Sequence, residues 1–148
     1  MSDDMYRIAE LAQQGFCCSQ VLVMLGLEAQ GKTDPDLVRA VHGLCGGIGW
    51  SGDTCGTLTG AACVLGLYAG RGLAEETADW RLSAMLRDLV EWFTEEYGAL
   101  YGGIRCETIL DGSPMNKQVR CPGIIAGTWE KVNELLQGNA YELGATGG

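Results

Sequence analysis

The stretch GDTCGTLTGAACVLG, residues 52–66, sets Cys55 ahead of an apolar segment that Gly56, Gly60 and Gly66 interrupt. A glycine inside a helix costs roughly 0.5 to 1 kcal/mol relative to alanine, so these glycines do not serve the stability of the helix itself. Gly56 and Gly60 are four residues apart and share one face of the predicted helix. We therefore expect a neighbouring element to approach that face closely.

Apolar residues recur at helical spacing on both sides of this stretch, and no sustained alternation of apolar and polar residues indicates a strand. The sequence predicts an all-α fold, a compact bundle of about six helices with a glycine-rich loop at the cysteine site. The predicted helical segments are 3–14, 17–29, 34–45, 54–69, 75–98 and 122–137, with a short one at 106–112 and a polar loop at 113–117.

Length and charge restrict the class of protein. A chain of 148 residues predicts a single domain over 1–148, in which 138–148 form a loose tail. A net charge of −9 disfavours nucleic acid as a partner, and no uncharged apolar run reaches the roughly 18 residues of a membrane span. The acidic N-terminus lacks the basic and apolar regions of an export signal, so we expect a cytoplasmic protein.

The positions of the cysteines are more informative. Cys18, Cys55, Cys106 and Cys121 each fall in or just before the first turn of a predicted helix. Free backbone N–H groups and the positive end of the helix dipole favour a thiolate at that position. If the helix starts converge, the thiolates suit an iron–sulfur cluster or another thiolate-bound metal. The glycines would then let the backbone approach the sulfur atoms.

Other residues near these positions have simpler interpretations. Cys63 lies in mid-helix among small apolar residues and is predicted to pack in the core. Cys17 and Cys45 are weaker candidates for ligands and could equally pack. His42, the one histidine in the chain, is predicted to be a surface or satisfied side chain, since a histidine-based metal site needs a second histidine. Trp50 would lie over the glycine loop and could shield the site from water.

The segments GFCCSQVLVMLG (15–26), GLCGGIGWSGDTCGTLTGA (43–61), CETIL (106–110) and CPGIIAGTWEKVNELL (121–136) together resemble the C_GCAxxG_C_C family of redox-active proteins. The resemblance spans roughly residues 5–137. The four cysteines of the family map onto Cys18, Cys55, Cys106 and Cys121. The chain departs from the family pattern at Thr57, which replaces an alanine, and at the additional Cys17 and Cys45. The family is also similar to the non-heme part of split-Soret cytochromes, which implies a helical, dimeric, iron–sulfur or electron-transfer protein.

Three hypotheses follow. The first is an electron-transfer or redox accessory protein, rather than a stand-alone enzyme, that binds a [2Fe–2S] cluster or another metal through Cys18, Cys55, Cys106 and Cys121. The cluster could be absent from preparations exposed to air. The second is a metal-free thiol–disulfide protein whose helix-start thiols have lowered pKa values. The third is a helical interaction module in which the cysteines pack. In the first hypothesis, amide hydrogen bonds from the glycine loop and burial near Trp50 would set the redox potential of the cluster. The predicted cofactor-binding residues are therefore Gly47, Gly49, Trp50, Gly52 and Gly56.

Two kinds of partner are expected. A redox role implies a partner protein that donates or accepts electrons. The near-continuous apolar faces of the second and fourth predicted helices exceed what a small bundle usually buries, which predicts a homodimer.

Overall fold

The computed structural model describes residues 3–143 and is all-α in that range, apart from an isolated antiparallel bridge between Thr54 and Arg105. This confirms the predicted fold class. The α-helices, in chain order, are α1 (Asp3–Gln13), α2 (Cys18–Ala29), α3 (Pro35–His42), α4 (Gly56–Ala69), α5 (Leu82–Phe93), α6 (Ala99–Tyr101), α7 (Cys106–Leu110) and α8 (Met115–Gly138). A π-helical turn, Thr94–Gly98, joins α5 to α6.

The central pair of helices, α2 and α4, runs in parallel. Gly56 lies against Cys18, Gly60 against Ser19 and Leu22, and Val64 against Gly26. The numbers of the contacting residues therefore increase in the same direction along both helices. Their apolar side chains are buried on several faces, as the sequence predicted. Because the helices are parallel, their N-terminal ends meet at one end of the bundle.

Gly60 explains how closely these helices approach. A Cβ atom at Gly60 would lie 2.8 Å from Ser19 Cα and 2.9 Å from the Ser19 carbonyl oxygen, distances that real Cβ contacts do not show. At Gly66, on the same helix, a Cβ would meet nothing within 4 Å. The predicted role of the shared glycine face is therefore confirmed for Gly60, whereas Gly66 has no such role.

The other long helices surround the central pair. Helix α8 packs against α1, α2, α4 and α5, and its inner face is fully apolar except for Thr128. Helix α5 packs against α4 and α8. The buried residues that these helices contribute to the common core are Met85, Leu89, Phe93, Ile124, Ile125, Trp129, Val132, Leu135 and Leu136.

Two predicted helix starts are wrong. Helix α5 begins at Leu82 rather than near residue 75, because the Asp79 side chain accepts a hydrogen bond from the Arg81 amide and organises a turn before the helix. Helix α8 begins at Met115, directly after Pro114, so most of the predicted loop at 113–117 is helical. Pro122, predicted to start this helix, lies inside it. Two prolines, Pro114 and Pro122, could mark the start of this helix, and the earlier one precedes it as the N-cap residue.

The part of the predicted tail that the structure describes makes contacts with the rest of the chain. The Tyr141 hydroxyl hydrogen-bonds to the Asp79 carboxylate, and the Arg81 guanidinium lies 5.2 Å from the centre of the Tyr141 ring. The Tyr68 hydroxyl donates to the Leu143 carbonyl at 2.5 Å. Tyr141 is thus held against the loop that precedes α5, and Leu143 against the end of α4. Residues 144–148 lie outside the described range.

The architecture bears on two predictions, one about membrane spans and one about oligomeric state. Within residues 3–143, no helix has the length and apolar content needed to cross a bilayer. The apolar faces of α2 and α4, which motivated the predicted homodimer, are buried inside this single chain. That reason for expecting a dimer is therefore removed, whereas the one implied by the family resemblance is unaffected, and the dimer stays a prediction.

Candidate thiol site

Three helix N-termini meet at one end of the bundle. Cys18 is the first residue of α2, Cys55 is the N-cap of α4 and Cys106 is the first residue of α7. The parallel packing of α2 and α4 brings Cys18 to Cys55. The backbone joins α7 to them, because the Cys55 amide donates to the Ile104 carbonyl at 2.9 Å and the Cys106 amide donates to the Asp53 carbonyl at 2.6 Å.

Cys121 reaches the same region by a different route. The sequence placed it at a helix start, but it lies inside α8, in its second turn, so the helix-dipole argument does not apply to it. Negative charge on Cys18, Cys55 and Cys106, when they are ionised, nevertheless raises the pKa of the Cys121 thiol. We call Cys18, Cys55, Cys106 and Cys121 the thiol cluster; all four are free thiols.

Three thiols of this cluster, those of Cys55, Cys106 and Cys121, are harder to ionise than ordinary cysteine. Burial, with the charge on Cys18 as the next cause, raises the pKa of Cys55 to about 11. Burial and the charges of the other cluster thiols raise the pKa of Cys121 to about 12, and burial also raises the pKa of Cys106. The lowered pKa values expected from the helix starts are thus wrong for these three thiols in the metal-free protein. Burial and mutual repulsion outweigh the helix termini.

Hydrogen bonds partly offset this effect at Cys55. The backbone amides of Thr57 and Leu58, in the first turn of α4, and the Thr57 hydroxyl all act on the Cys55 sulfur and lower its pKa. The Thr57 side chain is buried, with 1% of its surface exposed. Thr57, which replaces the alanine of the family pattern, thus places a hydroxyl beside the Cys55 sulfur.

We expect Thr57→Ala to raise the pKa of Cys55 further, because it removes the hydroxyl donor and leaves the two amides. Peptide-resolved alkylation of the metal-free protein across alkaline pH would measure this as a later rise in Cys55 labelling. Thr57→Ser, which keeps the hydroxyl, serves as the control and should follow the wild type. Identical profiles for the alanine and serine variants would show that the hydroxyl does not act on the sulfur.

Gly56 and Gly52 bring backbone against the cluster region. A Cβ at Gly56 would lie 2.7 Å from the Cys18 sulfur and 3.1 Å from the Leu44 carbonyl oxygen, so only glycine leaves room for that sulfur. A Cβ at Gly52 would lie 2.8 Å from a carboxylate oxygen of Glu107, on the first turn of α7. The predicted close approach of backbone to sulfur is confirmed at Gly56.

The glycine loop is a run of left-handed backbone. Gly46, Gly47, Ile48, Gly49 and Trp50 have φ between 58° and 72°. This conformation is strained for a β-branched residue such as Ile48. A Cβ at Gly47 would collide with the backbone of Asp53, which explains the glycine there.

The loop amides are engaged within the loop. The amides of Gly49, Trp50 and Gly52 donate to the carbonyls of Gly43, Cys45 and Gly46 at 2.9, 2.9 and 3.0 Å. Hydrogen bonds from these amides to a cofactor would require the loop to open, and their role there stays a prediction.

Trp50 lies at the surface of the glycine loop. Its side chain is 65% exposed, and its ring packs edge-on against His42 with centroids 5.7 Å apart. His42 is exposed on the surface, in agreement with the interpretation that it is not a ligand. Cys63, predicted to lie in the core, is partly buried against the small cluster around Val23, Leu27 and Val41.

A disulfide that the sequence did not predict joins Cys17 and Cys45, whose Cα atoms are 5.9 Å apart. The sequence offered both as weaker ligand candidates or as packed residues, and as additions to the family pattern. The pattern holds no direct signal for this pair, because the two residues are 28 positions apart and join a helix cap to a loop whose path depends on its left-handed residues.

The donor chemistry of the thiol cluster suits a thiolate-bound metal or an iron–sulfur cluster. As the side chains stand, however, no three or more His, Cys, Asp or Glu side chains between residues 3 and 143 are grouped so that they could hold a metal ion. Occupation would therefore require the thiols to turn toward a common centre as they lose their protons.

Comparison with known proteins agrees with the pattern of cysteines. A family model described as "Putative redox-active protein (C_GCAxxG_C_C)" matches residues 16–135. This range covers α2 to most of α8 and contains every cysteine of the thiol cluster. No curated protein and no solved structure shows significant similarity to the chain.

Proposed function

The chain belongs to the C_GCAxxG_C_C family of redox-active proteins, and on that premise we propose that it carries electrons at a cofactor bound by Cys18, Cys55, Cys106 and Cys121. The proposed cofactor is an iron–sulfur cluster of the [2Fe–2S] type. The observation that carries this proposal is that the free thiols Cys18, Cys55 and Cys106 lie at three helix starts at one end of the bundle, where α8 also brings free Cys121. Thiolates are the ligands that such clusters prefer.

The protonation of the metal-free site supports a role in binding a cation. Several buried thiols with raised pKa values cannot all ionise together unless a positive charge compensates them. Thiols lose their protons on metal binding, so we expect binding to release protons and to strengthen with pH. When bound, an iron–sulfur cluster would supply reversible one-electron chemistry to this site.

The chain's own residues would hold and insulate the site. Cys55 has 5% of its surface exposed, and the amides of Thr57 and Leu58 point at its sulfur. Gly56 gives the Cys18 sulfur a place against the backbone of α4. Burial and hydrogen bonds to sulfur are the main means by which proteins tune the potential of such sites.

A metal-free thiol–disulfide protein is the second candidate. The observation that favours it is that the Cys18 sulfur lies against Gly56, the residue that follows Cys55. This candidate predicts a two-electron change in the count of free thiols among the cluster cysteines. The raised pKa values disfavour it at neutral pH, because the thiolate is the reactive form.

A redox carrier needs a partner that reaches its site. Ile48 and Trp50, on the glycine loop, and Met115 and Val119, on the part of α8 that precedes Cys121, are apolar and between 51% and 77% exposed. We propose that a redox partner protein docks over these residues. A homodimer and a cytoplasmic location remain part of the proposal as expectations from the sequence.

The raised pKa values predict a loss of stability in alkali for the metal-free protein. A thiol whose pKa is higher in the folded than in the unfolded chain contributes stability below the unfolded value of 9.0, and that stability is lost as pH rises toward the folded value of about 11 at Cys55. A rise of this size corresponds to about 3 kcal/mol for Cys55. Urea unfolding from about pH 8 upward would measure it.

Cys55→Ala should flatten the decline, because one of the thiols that must ionise is gone. Cys121 acts in the same direction up to about pH 12, so some decline should remain in the variant. An unfolding free energy of the wild type that stays constant over this pH range would contradict the assignment of raised pKa values.

The proposed function is tested by the metal content of the protein isolated without oxygen. Iron and sulfide bound in equal amounts would support it. A folded, metal-free protein with the cluster cysteines pairing reversibly would favour the second candidate.

A further inference from the structure

The disulfide between Cys17 and Cys45 lies directly beside the thiol cluster, since Cys17 precedes Cys18 in the chain. We propose that this pair is a second redox centre, a dithiol–disulfide couple that exchanges two electrons with a thiol reductant. It is separate from the cofactor site proposed above and does not depend on it.

The two cysteines differ in exposure. Cys17 is partly exposed at the N-cap of α2, whereas Cys45 is completely buried, with 0% of its surface exposed. Thiol–disulfide exchange requires a thiolate to approach one sulfur in line with the bond. Cys17 is therefore the sulfur that an external thiolate can attack, and Cys45 is the leaving group inside the protein.

Ser19 provides a buried hydrogen-bond acceptor for the reduced, dithiol form of Cys17 and Cys45. Its hydroxyl oxygen lies 3.3 Å from the Cys17 sulfur and 3.6 Å from the Cys45 sulfur. The hydroxyl proton is donated to the Val41 carbonyl at 2.9 Å, which leaves the lone pairs of the oxygen facing the sulfurs. When the disulfide is reduced, this buried oxygen can accept hydrogen bonds from both S–H groups.

The chemistry balances with a thiol reductant. A thiolate of the reductant attacks Cys17, a new S–S bond forms, and the Cys17–Cys45 bond breaks as Cys45 takes the electron pair and a proton. A second thiolate then attacks the reductant's sulfur in the mixed disulfide and releases Cys17, which takes the second proton. The pair gains two electrons and two protons, and two reductant thiols become a disulfide.

The surroundings of the disulfide favour a reversible bond. Five other cysteines of the chain are free thiols, four of them in the cluster beside this pair. Where most thiols are kept reduced, the disulfides that do form are usually catalytic or redox-sensing. Cys45 also begins the glycine loop that leads to Cys55, and its carbonyl accepts the Trp50 amide at 2.9 Å. Opening the disulfide would free both the start of α2 and the start of this loop.

The test is a redox titration of the native protein in glutathione buffers of varied composition, without oxygen. Trapping with an alkylating reagent followed by peptide mass analysis reports each cysteine separately. We expect Cys17 and Cys45 to pass together from unreactive to alkylated as the buffer becomes more reducing, and to return on reoxidation. Because the couple takes two electrons, the ratio of its forms should change tenfold for each tenfold change in the ratio of glutathione disulfide to the square of glutathione.

Two outcomes would overturn the proposal. The pair could stay oxidised in reduced glutathione alone and open only after unfolding, which would make it a structural disulfide. It could also be found as two free thiols in every buffer. Cys63→Ser is the matched control, since it removes a free thiol outside both the pair and the cluster, and it should leave the titration unchanged.

Two variants separate this centre from its neighbours. Ser19→Ala removes the acceptor for the dithiol state and should make the pair about threefold to tenfold harder to reduce; an unchanged equilibrium would contradict the role of Ser19. The double variant Cys17→Ser with Cys45→Ser should lose the titration and keep the iron bound by the protein as isolated. If the protein holds no iron, the proposed cofactor fails while the glutathione titration still decides this proposal.

Discussion

Replacing Gly60 by alanine is expected to lower the free energy of unfolding by about 2 kcal/mol, although alanine is the better helix former. The added Cβ would meet Ser19 Cα at 2.8 Å, the Ser19 carbonyl oxygen at 2.9 Å and Leu22 Cβ at 3.2 Å. Two of these atoms belong to the backbone of α2, so a change of side-chain rotamer cannot relieve the contact. The two central helices must move apart, which loosens the packing along their whole contact.

Gly66→Ala provides a control on the same helix. Its Cβ would meet nothing within 4 Å, so the substitution should gain roughly 0.5 to 1 kcal/mol from helix propensity alone. Urea denaturation of both variants measures the difference. If Gly60→Ala proves as stable as Gly66→Ala, the close packing of α2 on α4 is contradicted.

Replacing Cys55 by serine is expected to reduce the iron retained by the protein by about tenfold or more, since changes even to partners of metal ligands cost 10- to 100-fold in affinity. Cys55 is the most enclosed member of the thiol cluster, and its sulfur is the one that the start of α4 supplies with amide donors. A hydroxyl is much harder to ionise than a thiol and is a poorer ligand for iron.

The matched control for this substitution is Cys63→Ser. Cys63 lies on the same helix, two turns further on, and is free and partly buried. The two proteins should unfold with similar cooperativity, whereas only Cys55→Ser should lose visible absorption and iron. Equal iron content in both variants would remove Cys55 from the set of ligands.

Much of the architecture was accessible from local patterns. The all-α class follows from helical spacing of apolar residues, and the role of Gly60 follows from the cost of a glycine that the helix does not need. Three of the cluster cysteines were found because helix starts are visible in the sequence and the parallel packing of α2 and α4 brings two of them together.

Other features depended on tertiary context. Cys121 joins the cluster from inside α8, because Pro114 rather than Pro122 starts the helix. The pKa values of Cys55 and Cys121 rise because burial and neighbouring charges outweigh the helix ends, and burial is not readable from spacing. The Cys17–Cys45 disulfide depends on the path of a left-handed loop, which nothing short of the folded chain specifies.

The most direct measurement of the central claim is the content of iron and acid-labile sulfide per chain, taken with the visible spectrum, in protein purified without oxygen. The claim that the thiol cluster binds an iron–sulfur cluster predicts iron and sulfide in equal amounts, together with visible absorption that fades on exposure to air. A well-folded anaerobic protein that contains neither, with Cys18, Cys55, Cys106 and Cys121 all open to alkylation after unfolding, would contradict it.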